Sequence, residues 1–253
     1  MNAITASLTD SATMFQRNFR HTVRNPMTLF SAILFPIIMM FLFVYVFGGA
    51  FSVGVNYVDY ATPGLIMMTI GYGVGPTAVS VHADMATGII NRLRIMDVSR
   101  TAVLVAHVIA SMLRSLAAIV FIIAFALVMG FRPAASFPEW LGVIGIIVLT
   151  LLAIGWLTVA LGLAAKTPET ANFGIIPLVL LPFLSSAFVP ADKMGAGVRQ
   201  FAEYQPFTPI IETLRGLLAG TPSAGPAIAA IAWCVGLMLI GYLWARRKFT
   251  KRG

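Results

Sequence analysis

The sequence predicts an all-α polytopic membrane protein, and three observations carry that prediction: 59% of its 253 residues are hydrophobic, charged residues make up only 10%, and the mean hydropathy is +0.91. So much apolar side chain exceeds what a soluble core of this size could hide. A helix crossing about 30 Å of hydrocarbon needs roughly 20 predominantly apolar residues, and six windows of that kind lie between charged boundaries. They cover residues 30–47, 63–81, 101–130, 141–165, 173–189 and 227–244. Prolines 36, 76, 177 and 182 fall inside them. Neighbouring helices can re-satisfy the carbonyls that a proline frees, so kinks are expected there rather than breaks.

Ahead of the first window, residues 8–25 form an amphipathic pattern. Leu8, Ala12, Phe15, Phe19 and Val23 share one helical face, with Arg17, Arg20 and Arg24 opposite. Pro26 disfavours helix at Asn25, so this interfacial helix should end there and turn into the first span. Its basic face suits anionic headgroups and its aromatic face the acyl boundary. No short apolar stretch with a small-residue cleavage site precedes the first window, which is expected to stay as a helix.

A net charge of +8 raises the question of nucleic acid, but the positions of the 17 Lys and Arg residues answer it differently. With the N-terminus cytoplasmic, twelve fall in the inside segments: Arg17, Arg20, Arg24, Arg92, Arg94, Arg100, Lys166, Arg246, Arg247, Lys248, Lys251 and Arg252. Four fall outside, at Arg132, Lys193, Arg199 and Arg215, and Arg114 lies within a span. This positive-inside asymmetry puts both termini in the cytoplasm. Topology thus accounts for the charge, and no basic patch with interleaved aromatics is left for nucleic acid.

Between the second and third windows, residues 82–100 carry five formal charges in a chain that otherwise avoids them. Ile89, Leu93 and Met96 share a face while Asn91 and Arg94 point away, with Thr87 as a candidate N-cap before Gly88. A solvated loop would not need that apolar face. It rests on the membrane surface or docks a partner.

Within the spans, the ionisable set is sparse. Arg114 is the one strongly charged residue well inside, and His107 and Ser111, seven and three residues earlier, share its face. A charge at that depth costs about 2.5 to 3.5 kcal/mol on insertion scales, so it must face protein, water or a headgroup. Two readings follow: a polar stripe along a transport path, or an arginine that satisfies carbonyls of a neighbouring helix. His107 reads as structural rather than as a ligand, since no second histidine accompanies it. Cys234 is the only cysteine, which rules out an intrachain disulfide or a cysteine metal cluster. Glycines 64, 71, 73 and 75 do not have nucleotide-loop spacing and read as sites of close helix packing.

The segment from 190 to 226 is nearly neutral. Ile210, Ile211, Leu214, Leu217 and Leu218 recur at helical spacing, and Glu212 and Arg215, three apart, can pair.

Two stretches carry a family resemblance. "GIINRLRIMDVSR", after an acidic residue and followed by "LVAHVIASMLRS", and "SSAFVPADKM" followed by "FAEYQPFTPIIETLRGLLAG" resemble permease subunits of type-2 ATP-binding-cassette exporters, in the daunorubicin-resistance-like branch. With the amphipathic helix and six spans, the resemblance covers nearly the whole chain as one permease domain, 1–253, of a bacterial plasma (inner) membrane. It implies a coupling helix in the loop between spans two and three, assigned to Asp84, Thr87, Gly88, Arg92, Leu93, Arg94 and Asp97. It also implies a re-entrant helix between spans five and six, carrying Glu203, Pro206, Glu212 and Arg215. The implied partners are separate ATPase subunits that hold Mg-ATP and a second permease copy or a related permease. The cargo is an amphipathic drug-like or lipid-like molecule. No cofactor is expected in this chain. It has no G-x-x-x-x-G-K-[ST] stretch, because "LGLAAKTPET" places Ala165 where a Gly must precede the Lys. Two other classes fit less well. An ion-driven secondary transporter would carry an acid near mid-membrane, whereas all nine acids lie in tails, loops or span edges. A membrane-embedded enzyme would need convergent His, Cys or carboxylates, and the spans offer only His107 and Cys234 on different helices.

Overall fold

A computed structural model describes residues 26–49, 54–86 and 100–251. The described residues are helical, with turns and loops between and no strand among them. Helix α1 (Pro26–Phe41) passes through Pro36 and widens into a π-helical stretch, Leu42–Phe47. Then come α2 (Tyr57–Gly73), α3 (Gly75–Ala86), α4 (Arg100–Val128) and α5 (Phe137–Ala164). Short pieces follow: α6 (Pro168–Phe173), α7 (Ile176–Leu180) and 3-10 turns at Leu181–Leu184 and Ala191–Lys193. The chain ends in α8 (Val198–Tyr204), α9 (Phe207–Leu218) and α10 (Ala224–Lys251). The expected amphipathic helix at 8–25 lies outside the described residues.

Among the described residues, four helical stretches are long and apolar enough to cross a membrane: Tyr57–Ala86, Val103–Val128, Phe137–Ala164 and Ala224–Thr250. They match the second, third, fourth and sixth windows, with shifted ends. The second starts at Tyr57, ahead of Pro63, and runs through His82, Ala83, Asp84 and Met85 to Ala86, residues that the sequence places in the following loop. The first and fifth windows correspond to shorter apolar helices, Leu34–Val46 and Pro168–Leu184.

The proline expectation needs correction. Of those four, Pro36 alone lies inside an uninterrupted helix, as Pro63 does in α2. Pro76 follows a turn at Val74, and Pro177 and Pro182 each open a new helical piece in its first turn. A proline has no N–H to donate, which costs nothing in a first turn where the N–H is unpaired anyway, so the chain restarts its helix there.

Helix α2 is the centre of the core. Leu65, Ile66, Met67, Met68 and Ile70 are fully enclosed, because α1, α4, α7 and α9 all pack on it. Close approach depends on its glycines. A Cβ on Gly64 would sit 2.6 Å from the Ala187 Cβ, one on Gly71 2.6 Å from the Leu178 carbonyl oxygen, and one on Gly73 2.8 Å from the Ser115 hydroxyl. Gly75 meets only ordinary contact, Ile175 Cδ1 at 3.8 Å.

Helix α5 starts at a box formed by Ser136 and Glu139: the Ser136 backbone N–H and hydroxyl donate to Glu139 Oε2 at 2.6 and 2.7 Å. It packs along α10, and α3 crosses it on another side. Most of the surface of α10 is apolar and exposed, including Ile228, Leu239, Ile240 and Leu243, as suits a helix in lipid. Helix α9 ends in a glycine-capped turn. The Thr221 N–H donates to the Gly216 carbonyl at 2.8 Å and Gly220 takes a φ of 70°, the left-handed cap in which glycine meets no Cβ penalty.

Candidate functional site

The stripe His107, Ser111, Arg114 faces α3. At the top of α3 the backbone is broken: the Val74 N–H donates to Tyr72 O, Pro76 has no N–H, and the Thr77 N–H turns to Val74 O at 3.0 Å. The Gly73 carbonyl therefore loses its usual helical donor. The Arg114 guanidinium supplies one, at 3.3 Å, and the same nitrogen donates to the Thr77 hydroxyl at 2.7 Å. This agrees with the reading in which Arg114 satisfies a neighbouring helix's carbonyl, and it ties α4 to both sides of the α2–α3 break.

One heptad along each helix, in opposite chain directions, the contact repeats. His107 Nε2 lies 3.1 Å from Asp84 Oδ2, with side-chain exposures of 5% and 12%. Thr77 with Arg114 and Asp84 with His107 therefore fix an antiparallel register between α3 and α4. Asp84, assigned by resemblance to an ATPase contact, turns its carboxylate inward. The other residues of that assignment, Thr87, Gly88, Arg92, Leu93, Arg94 and Asp97, lie outside the described residues, as do Phe15, Arg17, Phe19, Arg20 and Arg24.

Removing one partner of this enclosed hydrogen-bonded pair leaves the other desolvated. Asp84→Ala and His107→Ala are each expected to destabilise the detergent-solubilised protein by about 1 to 3 kcal/mol. The double variant should cost clearly less than the two singles combined, with a coupling of about 0.5 to 3 kcal/mol. Equilibrium unfolding of the four proteins checks this.

A second polar cluster joins α2, α9 and the segment after α7. The expected Glu212–Arg215 pair forms, but it is a small part of what Arg215 does. Its guanidinium donates to the Tyr60 carbonyl at 3.2 Å and to the Ser186 carbonyl at 2.8 Å, and lies 3.8 Å above the Tyr60 ring. The Tyr60 and Tyr57 hydroxyls donate to Ser186 O and Phe188 O at 2.9 and 3.1 Å. Phe188 stacks on Phe43 of the π-helical stretch, with ring centres 3.9 Å apart. Of the other residues assigned to this region, Pro206 precedes the first turn of α9. Glu203 pairs with Arg199 at 2.7 Å on an exposed face and holds the Arg199 guanidinium above its ordinary range. Tyr60 and Ser186 escaped the sequence reading. The signal available was two tyrosines three residues apart at the mouth of a span.

Below α3, Glu169 opens α6. The Thr167 hydroxyl accepts from the Thr170 N–H at 3.2 Å and caps that helix.

Among the described residues, the helical fold with four helices long and apolar enough to cross a membrane, two of them joined by a polar seam, fits a membrane protein. Residues 10–219 match the family model of the ABC-2 type transporter, and the chain belongs to that family. It is 28% identical to the daunorubicin resistance ABC transporter permease protein DrrB1 of Streptomyces coeruleorubidus, over 85% of this chain and 74% of that relative. It is 25% identical to the probable doxorubicin resistance ABC transporter permease protein DrrC of Mycobacterium tuberculosis, over 93% of this chain and 87% of that relative. It is an ABC transporter permease, integral to the membrane.

Proposed function

We propose that the chain is the membrane half of an ATP-driven exporter in a bacterial plasma membrane, with six crossings and both termini in the cytoplasm. In this reading α1 and the broken stretch Pro168–Leu184 supply the first and fifth crossings. Helix α9, 12 residues long and too short to span, is the re-entrant element. Separate ATPase subunits bind Mg-ATP and dock on the loop between α3 and α4. A second permease, identical or related, completes the path for an amphipathic drug-like or lipid-like molecule.

The observation that carries this reading is the α3–α4 hairpin itself. Asp84–His107 clamps α3 to α4 close to where the intervening segment 87–99 leaves and re-enters them. A push on that segment would be passed to α3 and α4 together, and through Arg114 to the break beneath α2. The test is co-purification of an ATPase when the chain is expressed together with its chromosomal neighbours. Wild type should bring the ATPase down and support ATP-dependent efflux from vesicles. Leu93→Asp should insert normally yet lose most of the associated ATPase. Normal association in that variant would remove the docking role.

Asp84 with His107 also offers the acid and imidazole that a proton-coupled carrier would use. That second reading predicts efflux in vesicles driven by a proton gradient with no ATPase present.

A further inference from the structure

We propose that the seam between α3 and α4 binds the acidic group, a carboxylate or phosphate, of the transported amphiphile, with Arg114 as counter-charge and Ser111 and Ser115 as hydroxyl donors. This rests on the exporter reading and deepens it by naming the cargo's chemical class.

Charge comes first. A guanidinium stays protonated, and a cation inside a span is normally paired. Among the described residues both partners of Arg114, the Gly73 carbonyl and the Thr77 hydroxyl, are neutral. The nearest acid along the facing helix, Asp84, is seven residues from Thr77, about 10 Å at 1.5 Å per residue, and is engaged by His107. Hydrogen bonding points the same way. Arg114 Nε, Ser111 Oγ and Ser115 Oγ are enclosed and have no partner, although Ser111 and Ser115 are only 2% and 0% exposed. Three donors within five residues of one helix lack acceptors. A carboxylate or phosphate brings several lone pairs and a negative charge to the same place, whereas a trapped water would serve the hydroxyls and leave the charge unmatched.

These groups also converge. Arg114 reaches the Gly73 carbonyl, and the Ser115 hydroxyl lies 2.8 Å from where a Gly73 Cβ would be. The arginine side chain is partly exposed although its Nε is enclosed, so the anion would enter along the arginine. Depth then chooses the source. Arg114 lies near the middle of the span Val103–Val128, far from the plane where resident lipid headgroups sit. A molecule in transit does pass that depth.

The test uses the full chain in phosphatidylcholine nanodiscs, with two fluorescent probes of equal chain length, an NBD-labelled dodecanoate and an NBD-labelled dodecyl trimethylammonium. The carboxylate should bind at least about tenfold more tightly, a difference of about 1.4 kcal/mol. Arg114→Gln should abolish that preference, Arg114→Lys should keep part of it, and the Ser111→Ala/Ser115→Ala double variant should weaken carboxylate binding severalfold. Equal binding of the two probes overturns the proposal. So does undiminished carboxylate binding in Arg114→Gln, or, should that variant fail to fold, in the serine double variant. Displacement of the dodecanoate by added phosphatidylglycerol would assign the seam to a resident headgroup and overturn the substrate assignment. ATPase association is measured on the same proteins: association without probe preference refutes this inference alone, and loss of association in wild type refutes the exporter reading beneath it.

Discussion

Gly162→Ala is expected to separate α3 from α5 and to leave little monodisperse protein after extraction. A Cβ at this position of α5 would sit 2.6 Å from the Ala78 carbonyl oxygen, 3.0 Å from Val81 Cβ and 3.1 Å from Ala78 Cα. Two of these atoms are backbone, so no rotamer change relieves the contact and the helices must move apart. Overpacking of this kind costs about 1 to 3 kcal/mol and more where the opposing atom cannot yield. Val81, Val159, Ala160 and Leu163, all buried beside the contact, would lose packing together. The same substitution at Gly145, on the same helix, meets nothing within 4 Å and removes a poor helix former. It should be neutral or stabilising by up to about 1 kcal/mol. Size-exclusion profiles and thermal ramps of the two variants side by side check the contrast. A well-behaved Gly162→Ala protein would mean that α3 and α5 do not meet at this distance.

The same glycines show how far the sequence could be read. Gly64, Gly71 and Gly73 stood out because they crowd into one stretch of a span, and each meets a close neighbour. Gly162 and Gly241 did not, yet a Cβ on Gly241 would lie 2.6 Å from the Leu157 amide nitrogen. An isolated glycine in an apolar helix looks identical whether it faces lipid or a backbone. The polar seam was half legible. Helical periodicity alone puts His107, Ser111 and Arg114 on one face, but it gives no register between helices, so Asp84 and Thr77 across the gap could not be named as partners. Asp84 itself was placed outside the span because hydropathy stops at the first cluster of polar residues, while the helix continues to Ala86. In the fifth window, hydropathy averages over an apolar run and does not register that Pro177 and Pro182 each restart the helix. Apolar content thus located the spans, whereas their breaks are set by which backbone N–H groups exist.

Arg215→Ala should be the most damaging single change to the cluster that joins α2, α9 and the segment after α7. The ion pair with Glu212 contributes little to that expectation, since the Glu212 side chain is 36% exposed and solvent screens the pair. The carbonyls matter more. Tyr60 and Ser186, 155 and 29 residues away in sequence, both accept from this guanidinium, and Ser186 is only 2% exposed. Charged donors to enclosed carbonyls are each worth about 1.5 to 3 kcal/mol, and the guanidinium over the Tyr60 ring adds about 0.5 to 2 kcal/mol. These terms overlap, so a loss of about 3 to 5 kcal/mol is expected, read as earlier unfolding in a thermal or denaturant series. Arg215→Lys should recover only part of it. An ammonium can sit over the ring, but it lacks the planar fork that serves two carbonyls on different segments at once. Glu212→Gln should shift stability by less than about 1 kcal/mol. If Arg215→Lys matched wild type, or Glu212→Gln proved as harmful as Arg215→Ala, the carbonyl staple would not be what holds these three segments together.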